Sequence, residues 1–276
     1  MKSKSALSIL FAAGLALFWA APAQAQQVDL AIVLAADISG SISTTEFNLQ
    51  REGYARAFES SQITSLFDGT LSVAVAYTNW ANQAKTVLDW TILDSAADST
   101  AFGSSIRSSA RANGIGDFTH IDNAIDDAVS LIFTEGVGDE FTAADRYVVD
   151  VSGDGRNNSV ANSVSNPANI PPLTGARDAA ITAGVDTING LVILNNDSGL
   201  GQYYEDYVIA GTNQDGSPAF VLGVNDFDDF EQAMITKLKA EITGVGPIIP
   251  EPSTVGALSL LGMVGFLGYR RFRKSA

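Results

Sequence analysis

Apolar and polar positions along the chain alternate between two regimes. Short continuous apolar runs, each closed by Asp, Ser, Gly or Asn, take turns with longer stretches of helical period. Val28–Ala35 is apolar after its Asp29 and runs into Asp37-Ile38-Ser39-Gly40-Ser41, the pattern of a strand buried on both faces and closed by a turn. Ser43-Thr44-Thr45-Glu46 opens a predicted helix over 44–60 with a capping-box pattern. Leu71–Asn79 and Lys85–Leu93 read as a strand hairpin, and Ala97–Arg111 and Ile121–Phe133 as helices. Tyr147–Ser152 is a further buried strand, ended by Gly153-Asp154-Gly155. An Asn- and Pro-rich loop over Arg156–Leu173 leads to a helix at about 174–184. Thr187–Leu194 and Ala219–Val224 are strands with a helix near Gly201–Ile209 between them, and Phe227–Ile242 is the last helix.

Strands alternating with helices predict an α/β domain. The expected architecture is a doubly wound, mostly parallel central sheet with helices on both faces and one antiparallel edge strand. Ligands of such sheets sit outside the carboxyl ends of the strands, near the point where strand order reverses. Asp37 and Asp154 stand at two such ends. A 3-2-1-4-5-6 order would make their strands neighbours, an order that the sequence alone does not reveal.

Both termini read as processing segments. Lys2 and Lys4, an apolar run from Ala6 to Ala21 and Ala23-Gln24-Ala25 have the three parts of a secretory signal, with cleavage expected after Ala25. At the other end, a linker over 244–249 leads to Pro250-Glu251-Pro252, an apolar stretch from Val255 to Tyr269, and Arg270, Arg271, Arg273 and Lys274. Fifteen helical residues span roughly 22 Å, short of a ~30 Å hydrocarbon core, so the segment suits a temporary stop. Basic residues stay cytoplasmic, which puts the domain on the far side of the membrane. This end, residues 250–276, resembles the PEP-CTERM sorting signal of Gram-negative bacteria. That resemblance implies recognition by an exosortase and removal of the helix, after signal peptidase has acted at the start. The protein would sit on the periplasmic side of the inner membrane before processing, then at the cell surface or in the secreted matrix.

Charge sharpens this address. The terminal segments hold six of the 16 basic residues, which leaves 10 basic against 31 acidic groups over 26–252. Such a surface repels nucleic acid and anionic membranes and attracts cations. The chain has no cysteine, so it has neither disulfides nor a thiolate metal site.

Candidate chemistry lies in three loops. Asp37, Ser39 and Ser41 alternate in a tight turn, with Gly40 expected to permit it. Thr119, in Asp117-Phe118-Thr119, stands at a loop–helix junction, and Asp154 lies between glycines at a strand end. Oxygen-only ligands suit a hard cation, whereas serines and an aspartate ahead of a helix also serve simply as turn and cap residues. Asp-x-Ser-x-Ser, a Thr ahead of a helix, and an Asp-Gly after a buried strand together resemble the metal-ion-dependent adhesion site of the von Willebrand factor A family. The resemblance spans about residues 27–243, within a domain drawn as 26–243. It implies Asp37, Ser39, Ser41, Thr119 and Asp154 as metal ligands, direct or through water, with Mg²⁺ or Mn²⁺ ahead of Ca²⁺. The second loop departs from the family, reading Gly-Asp-Phe-Thr-His where Gly-Gly-Thr is usual. Asp150-Val-Ser-Gly-Asp-Gly-Arg-Asn-Asn158 and Asn189-Gly190-Leu191 further resemble a bacterial subfamily of these domains.

The expected function is binding of a protein or an acidic polysaccharide through an open metal position, without catalysis. Two alternatives stand beside it: a metal-dependent phosphoesterase-like hydrolase framed by Asp37 and Asp154, and a structural matrix component with an idle metal site. Ser39 stands where a hydrolase of that kind would carry a second acid. His120, the one histidine, is expected to be a solvated helix-start residue, and no Gly-x-Ser-x-Gly elbow supports a serine hydrolase. Trp80 and Trp90 are expected to pack the edge strands, and Tyr203 and Tyr204 to pack a helix.

Overall fold

The computed structural model describes residues 26–247 apart from Asp139, Asn162 and Asn196. The secretory signal and the PEP-CTERM-like end lie outside these residues. Among the described residues no helix is long and apolar enough to cross a membrane.

The chain runs β1 (Gln26–Val28), β2 (Leu30–Asp37), α1 (Thr44–Glu59), α2 (Ser61–Thr64), β3 (Asp68–Trp80), β4 (Ala84–Ser95), α3 (Ala96–Ser108) and α4 (Ile121–Ser130). It continues through β5 (Phe141–Ala144), β6 (Tyr147–Gly153), α5 (Ile170–Ala183), β7 (Thr187–Ile193), α6 (Leu200–Tyr207), β8 (Ala210–Gly211), β9 (Val221–Val224) and α7 (Phe230–Thr243). The main sheet has the order β4-β3-β2-β6-β7, with the short β8 and β9 both pairing β7 at the far edge. Neighbours are parallel except β4 against β3 and β8 against β7. With the two-residue β8 set aside and β9 as the sixth strand, this is the 3-2-1-4-5-6 order, and strand order reverses between β2 and β6.

Every residue of β2 is buried, because helices cover both faces. On one face α1, α3 and α7 enclose Leu30, Ile32, Leu34, Tyr54, Phe58, Phe102, Phe230 and Leu238. On the other, α4, α5 and α6 enclose Ala31, Val33, Ala35, Ile125, Leu173 and Tyr204. Trp80 and Trp90 pack on this second face, the latter on the edge strand β4, and Tyr203 and Tyr204 are buried as expected. The first face also holds a dry ionic group. Lys237 of α7 meets Asp150 of β6 at 2.9 Å and Glu241, one turn on, and Asn189 Nδ2 donates to Glu241 at 3.1 Å. Burial, with Asp150 nearby, pushes the Glu241 carboxyl up to about 8 against the pull of Lys237.

Several element boundaries differ from expectation, each for a local reason. The first strand is shifted to 30–37, because Asp29 turns out of the sheet to accept from Ser72 N at 2.7 Å. Helix α5 begins at Ile170 instead of 174, since Pro171 and Pro172 occupy its first turn, where a missing N–H costs no helical bond. The helix after Ile121 ends at Ser130 and widens into a π-turn over Leu131–Gly136. A small parallel sheet of β1 with β5 had no periodic signal in so few residues.

Candidate metal centre

The capping box that starts α1 is present: Glu46 N donates to Ser43 Oγ at 3.3 Å and Ser43 N to Glu46 Oε2 at 2.8 Å. It fixes the far end of the loop after β2. The near end is fixed by Asp37, the last residue of that strand, whose Oδ1 accepts from Ser39 N at 2.7 Å. Arg111 reaches the carbonyl of Ile38 at 2.8 Å and so clamps the turn from outside. Gly40 is needed for a reason other than its torsions. A Cβ there would lie 3.1 Å from the Asp117 carbonyl oxygen, which accepts from Gly40 N at 2.8 Å. The glycine lets the second loop close onto the first.

That second loop keeps its place despite the departure at Gly-Asp-Phe-Thr-His. Thr119 N donates to Asn158 Oδ1 at 2.7 Å and Thr119 O accepts from Asn158 N at 2.8 Å. Asn157 Oδ1 accepts from Ile121 N at 2.8 Å, occupying one of the free donors at the start of α4. Asn157 and Asn158 therefore bolt the Thr119 loop to the Asp154 loop. Their sequence signal was only their place in the subfamily-like run.

These clamps bring all five expected residues together. Thr119 Oγ1 donates to Ser39 Oγ at 3.3 Å, the hydroxyls of Ser39 and Ser41 are 3.2 Å apart, and Ser41 Oγ donates to Asp154 Oδ1 at 2.6 Å. Asp37, Ser39 and Thr119 are buried, Asp154 is half-buried and Ser41 is exposed. Asp37 Oδ2 and Asp154 Oδ2 are buried and make no hydrogen bond among the described residues. Burial and the charge of Asp154 push Asp37 up to about 7, while burial raises Asp154 as well, with Glu46 adding and the Ser41 hydrogen bond opposing. Two half-satisfied carboxylates repelling one another among three neutral hydroxyls form a donor set that a hard divalent cation fits. Among the described residues no group of three or more His, Cys, Asp or Glu side chains could hold a metal, so the donors gathered here are hydroxyls with two carboxylates.

Sequence reasoning passed over Tyr204 as packing alone. Its hydroxyl is buried near these carboxylates with no hydrogen-bond partner among the described residues. His120 stands at the start of α4, half-buried, with Asn82 and Asn123 as its neighbours at 3.4 and 3.3 Å. Burial lowers its pKa, so it is less solvated than expected.

A family profile described as "Protein of unknown function (DUF1194)" matches residues 27–246. The chain belongs to that family. Its fold is that of a von Willebrand factor A domain, the sheet order and the converging loops agreeing with the sequence resemblance. Similar solved structures include the pilus adhesin SpaC from Lactobacillus rhamnosus GG (TM-score 0.54, 14% identity, covering 79% of this chain and 31% of that one). The PilB minor pilin from Streptococcus sanguinis aligns with TM-score 0.53 and 10% identity over 82% of this chain and 65% of its own. Proximal thread matrix protein 1 from the mussel byssus aligns with TM-score 0.50 and 16% identity over 80% of this chain and 49% of its own. The chain thus spans about half of the thread protein and under a third of the SpaC adhesin. A comparison with curated proteins gives no match.

Proposed function

We propose that residues 26–243 form an exported binding module. It holds Mg²⁺ or Mn²⁺ on Asp37, Ser39, Ser41, Thr119 and Asp154 and uses the ion to capture an acidic partner. The observation that carries this reading is the continuous Thr119–Ser39–Ser41–Asp154 hydroxyl–carboxylate chain at the carboxyl ends of β2 and β6, with an unpaired oxygen on each aspartate. When bound, the ion would supply a Lewis-acidic position for an anionic oxygen from outside. The chain's own residues orient the hydroxyls and confine the attraction to one point on an otherwise acidic surface.

The rim favours a protein over an acidic polysaccharide. Phe118, Val160 and Val164, exposed by 41%, 60% and 48%, lie on the two loops that carry Thr119 and Asp154. Asn169 presents the third loop rigidly: its side chain accepts from Val160 N and Ala161 N and donates to Ala161 O and Ser163 O. Exposed apolar tips on a pre-organised frame suit apolar side chains flanking a carboxylate. The pilus and thread-matrix parentage of the similar structures supports an extracellular setting. Residues 1–25 and 250–276 would supply export and exosortase-dependent sorting, with residues 255–269 as a transient anchor.

Catalysis is disfavoured because Ser39 Oγ sits inside the hydroxyl chain, with no acid at its position and no histidine bonded to it. The deciding experiment immobilises the protein and offers its own cell-surface proteins and exopolysaccharide with Mg²⁺ or with EDTA. Mg²⁺-dependent protein capture, lost in Asp154→Ala and unaccompanied by phosphate-ester turnover, is expected. Turnover lost with the same substitution would establish the hydrolase instead, and capture indifferent to EDTA would leave the metal idle.

A further inference from the structure

Beneath the cluster lies a feature that the five ligands leave unexplained. Gly153, at the end of β6, and Gly190, in the middle of β7, are buried strand glycines, which weaken a sheet and mark places where something comes close. What comes close is Tyr204 of α6. A Cβ at Gly190 would lie 2.9 Å from Val221 Cγ2 and 3.0 Å from Tyr204 Cδ1, and one at Gly153 would lie 2.9 Å from the Tyr204 hydroxyl oxygen. The same point above Gly153 is 2.9 Å from Asp37 Oδ2. The two glycines thus seat the ring, and the second opens a small space that the phenol and the carboxylate share.

Both atoms bordering that space are orphans. Tyr204 is fully buried and its hydroxyl has no hydrogen-bond partner among the described residues, nor has Asp37 Oδ2. A phenol buried without a partner carries a desolvation penalty, and a phenylalanine would fill the same apolar seat without it. The nearby charges that bear on the phenol are Asp37 first and Asp154 second, both acceptors.

We propose that Tyr204 is a positioning residue for the metal centre. Its hydroxyl donates to Asp37 Oδ2 through one water in the space they share, and so holds the carboxylate oriented beneath the ligand hydroxyls. Asp37 then has a donor on each oxygen: Ser39 N on Oδ1 and, through that water, Tyr204 on Oδ2. Gly153 is required because any side chain there would fill the space between phenol and carboxylate. This inference rests on the metal-binding reading above.

The test compares the full chain in mild detergent with its Tyr204→Phe variant. Mg²⁺ affinity is read by titration calorimetry, the tyrosine near-UV difference band on Mg²⁺ addition by absorbance, and the melting temperature in EDTA. Loss of a hydrogen bond to a charged group predicts an affinity about tenfold or more weaker, with the difference band gone and the melting temperature in EDTA unchanged or higher. A cycle with Asp37→Asn should be non-additive, whereas Asp228→Ala combined with Tyr204→Phe should be additive. Wild-type binding with Tyr204→Phe affinity within about twofold, or a band that persists in the variant, overturns the positioning role alone. Absence of Mg²⁺ binding by the wild type overturns the metal reading and this inference with it. A variant that melts lower in EDTA and shows additive coupling assigns Tyr204 to packing only and overturns the proposal.

Discussion

Ser41 Oγ donates to Asp154 Oδ1 across 2.6 Å, joining residues 113 positions apart in the chain. This one contact closes the loop after β2 onto the loop after β6, at the place where the strand order reverses. Ser41 is itself exposed, and it meets Asp154 on one carboxylate oxygen only.

The first expectation is stabilisation by metal. A ligand bound only by the folded state stabilises it by ~2.7 kcal/mol at a hundredfold excess over its dissociation constant. Melting followed by circular dichroism should rise with Mg²⁺ or Mn²⁺ in the wild type and in Asp228→Ala, and not in Asp37→Ala or Asp154→Ala. Equal shifts in all four proteins would mean diffuse binding to the acidic surface.

Hydroxyls and rim should separate in a binding assay. Ser39→Ala/Ser41→Ala keeps the charge of Asp37 and should abolish both metal stabilisation and partner capture. Phe118→Ser/Val160→Ser should keep the metal-induced shift and weaken capture by about tenfold, as expected for losing two apolar contacts. Surface plasmon resonance against the captured protein reads the second effect, and unchanged binding would remove the rim from the interface.

The buried ionic group predicts a pH effect remote from the metal. Glu241 is raised from 4.5 to about 8, so its folded form holds a proton that the unfolded form releases. Stability from this group is full below about pH 4.5 and is lost as pH rises through about 8. The groups facing it are Lys237, Asp150 and, more distantly, Tyr54 and Arg146. Urea midpoints should therefore fall from about pH 5 to about pH 9 more steeply in the wild type than in Glu241→Gln. Lys237→Met should cost ~3–5 kcal/mol at neutral pH, because it strands Asp150 without its cation. An equal pH slope in both proteins would show Glu241 ionised throughout.

Processing can be read from mass. The native protein should begin near Gln26 and end near Pro250–Pro252. An intact Arg270–Lys274 tail in the surface fraction would mark a permanent anchor.

Much of this was legible in residue patterns. The capping box at Ser43 and Glu46, the β3–β4 hairpin and the buried strands β2 and β6 follow from local periodicity and end signals, which act over a few neighbours. The five candidate ligands were legible through the resemblance of their loops to a metal-ion-dependent adhesion site; position alone offered Asp37 and Asp154, each beside the end of a buried strand. The start of α5 was misplaced because two prolines look like a loop and also fit a helical first turn.

By itself, then, the sequence determined the alternation of elements, the acidic surface, the oxygen-only chemistry and the loops that carry it. Only the tertiary structure decided that β2 and β6 are neighbours, which places Ser41 beside Asp154. It alone decided that Asn157, Asn158 and Asn169 act as clamps and that Tyr204 faces Asp37 across Gly153. The reason is physical: strand and turn signals are written in neighbouring residues, whereas an asparagine, a tyrosine or a glycine acquires its role from groups tens of positions away. Packing sets those distances, and no short window of the chain contains them.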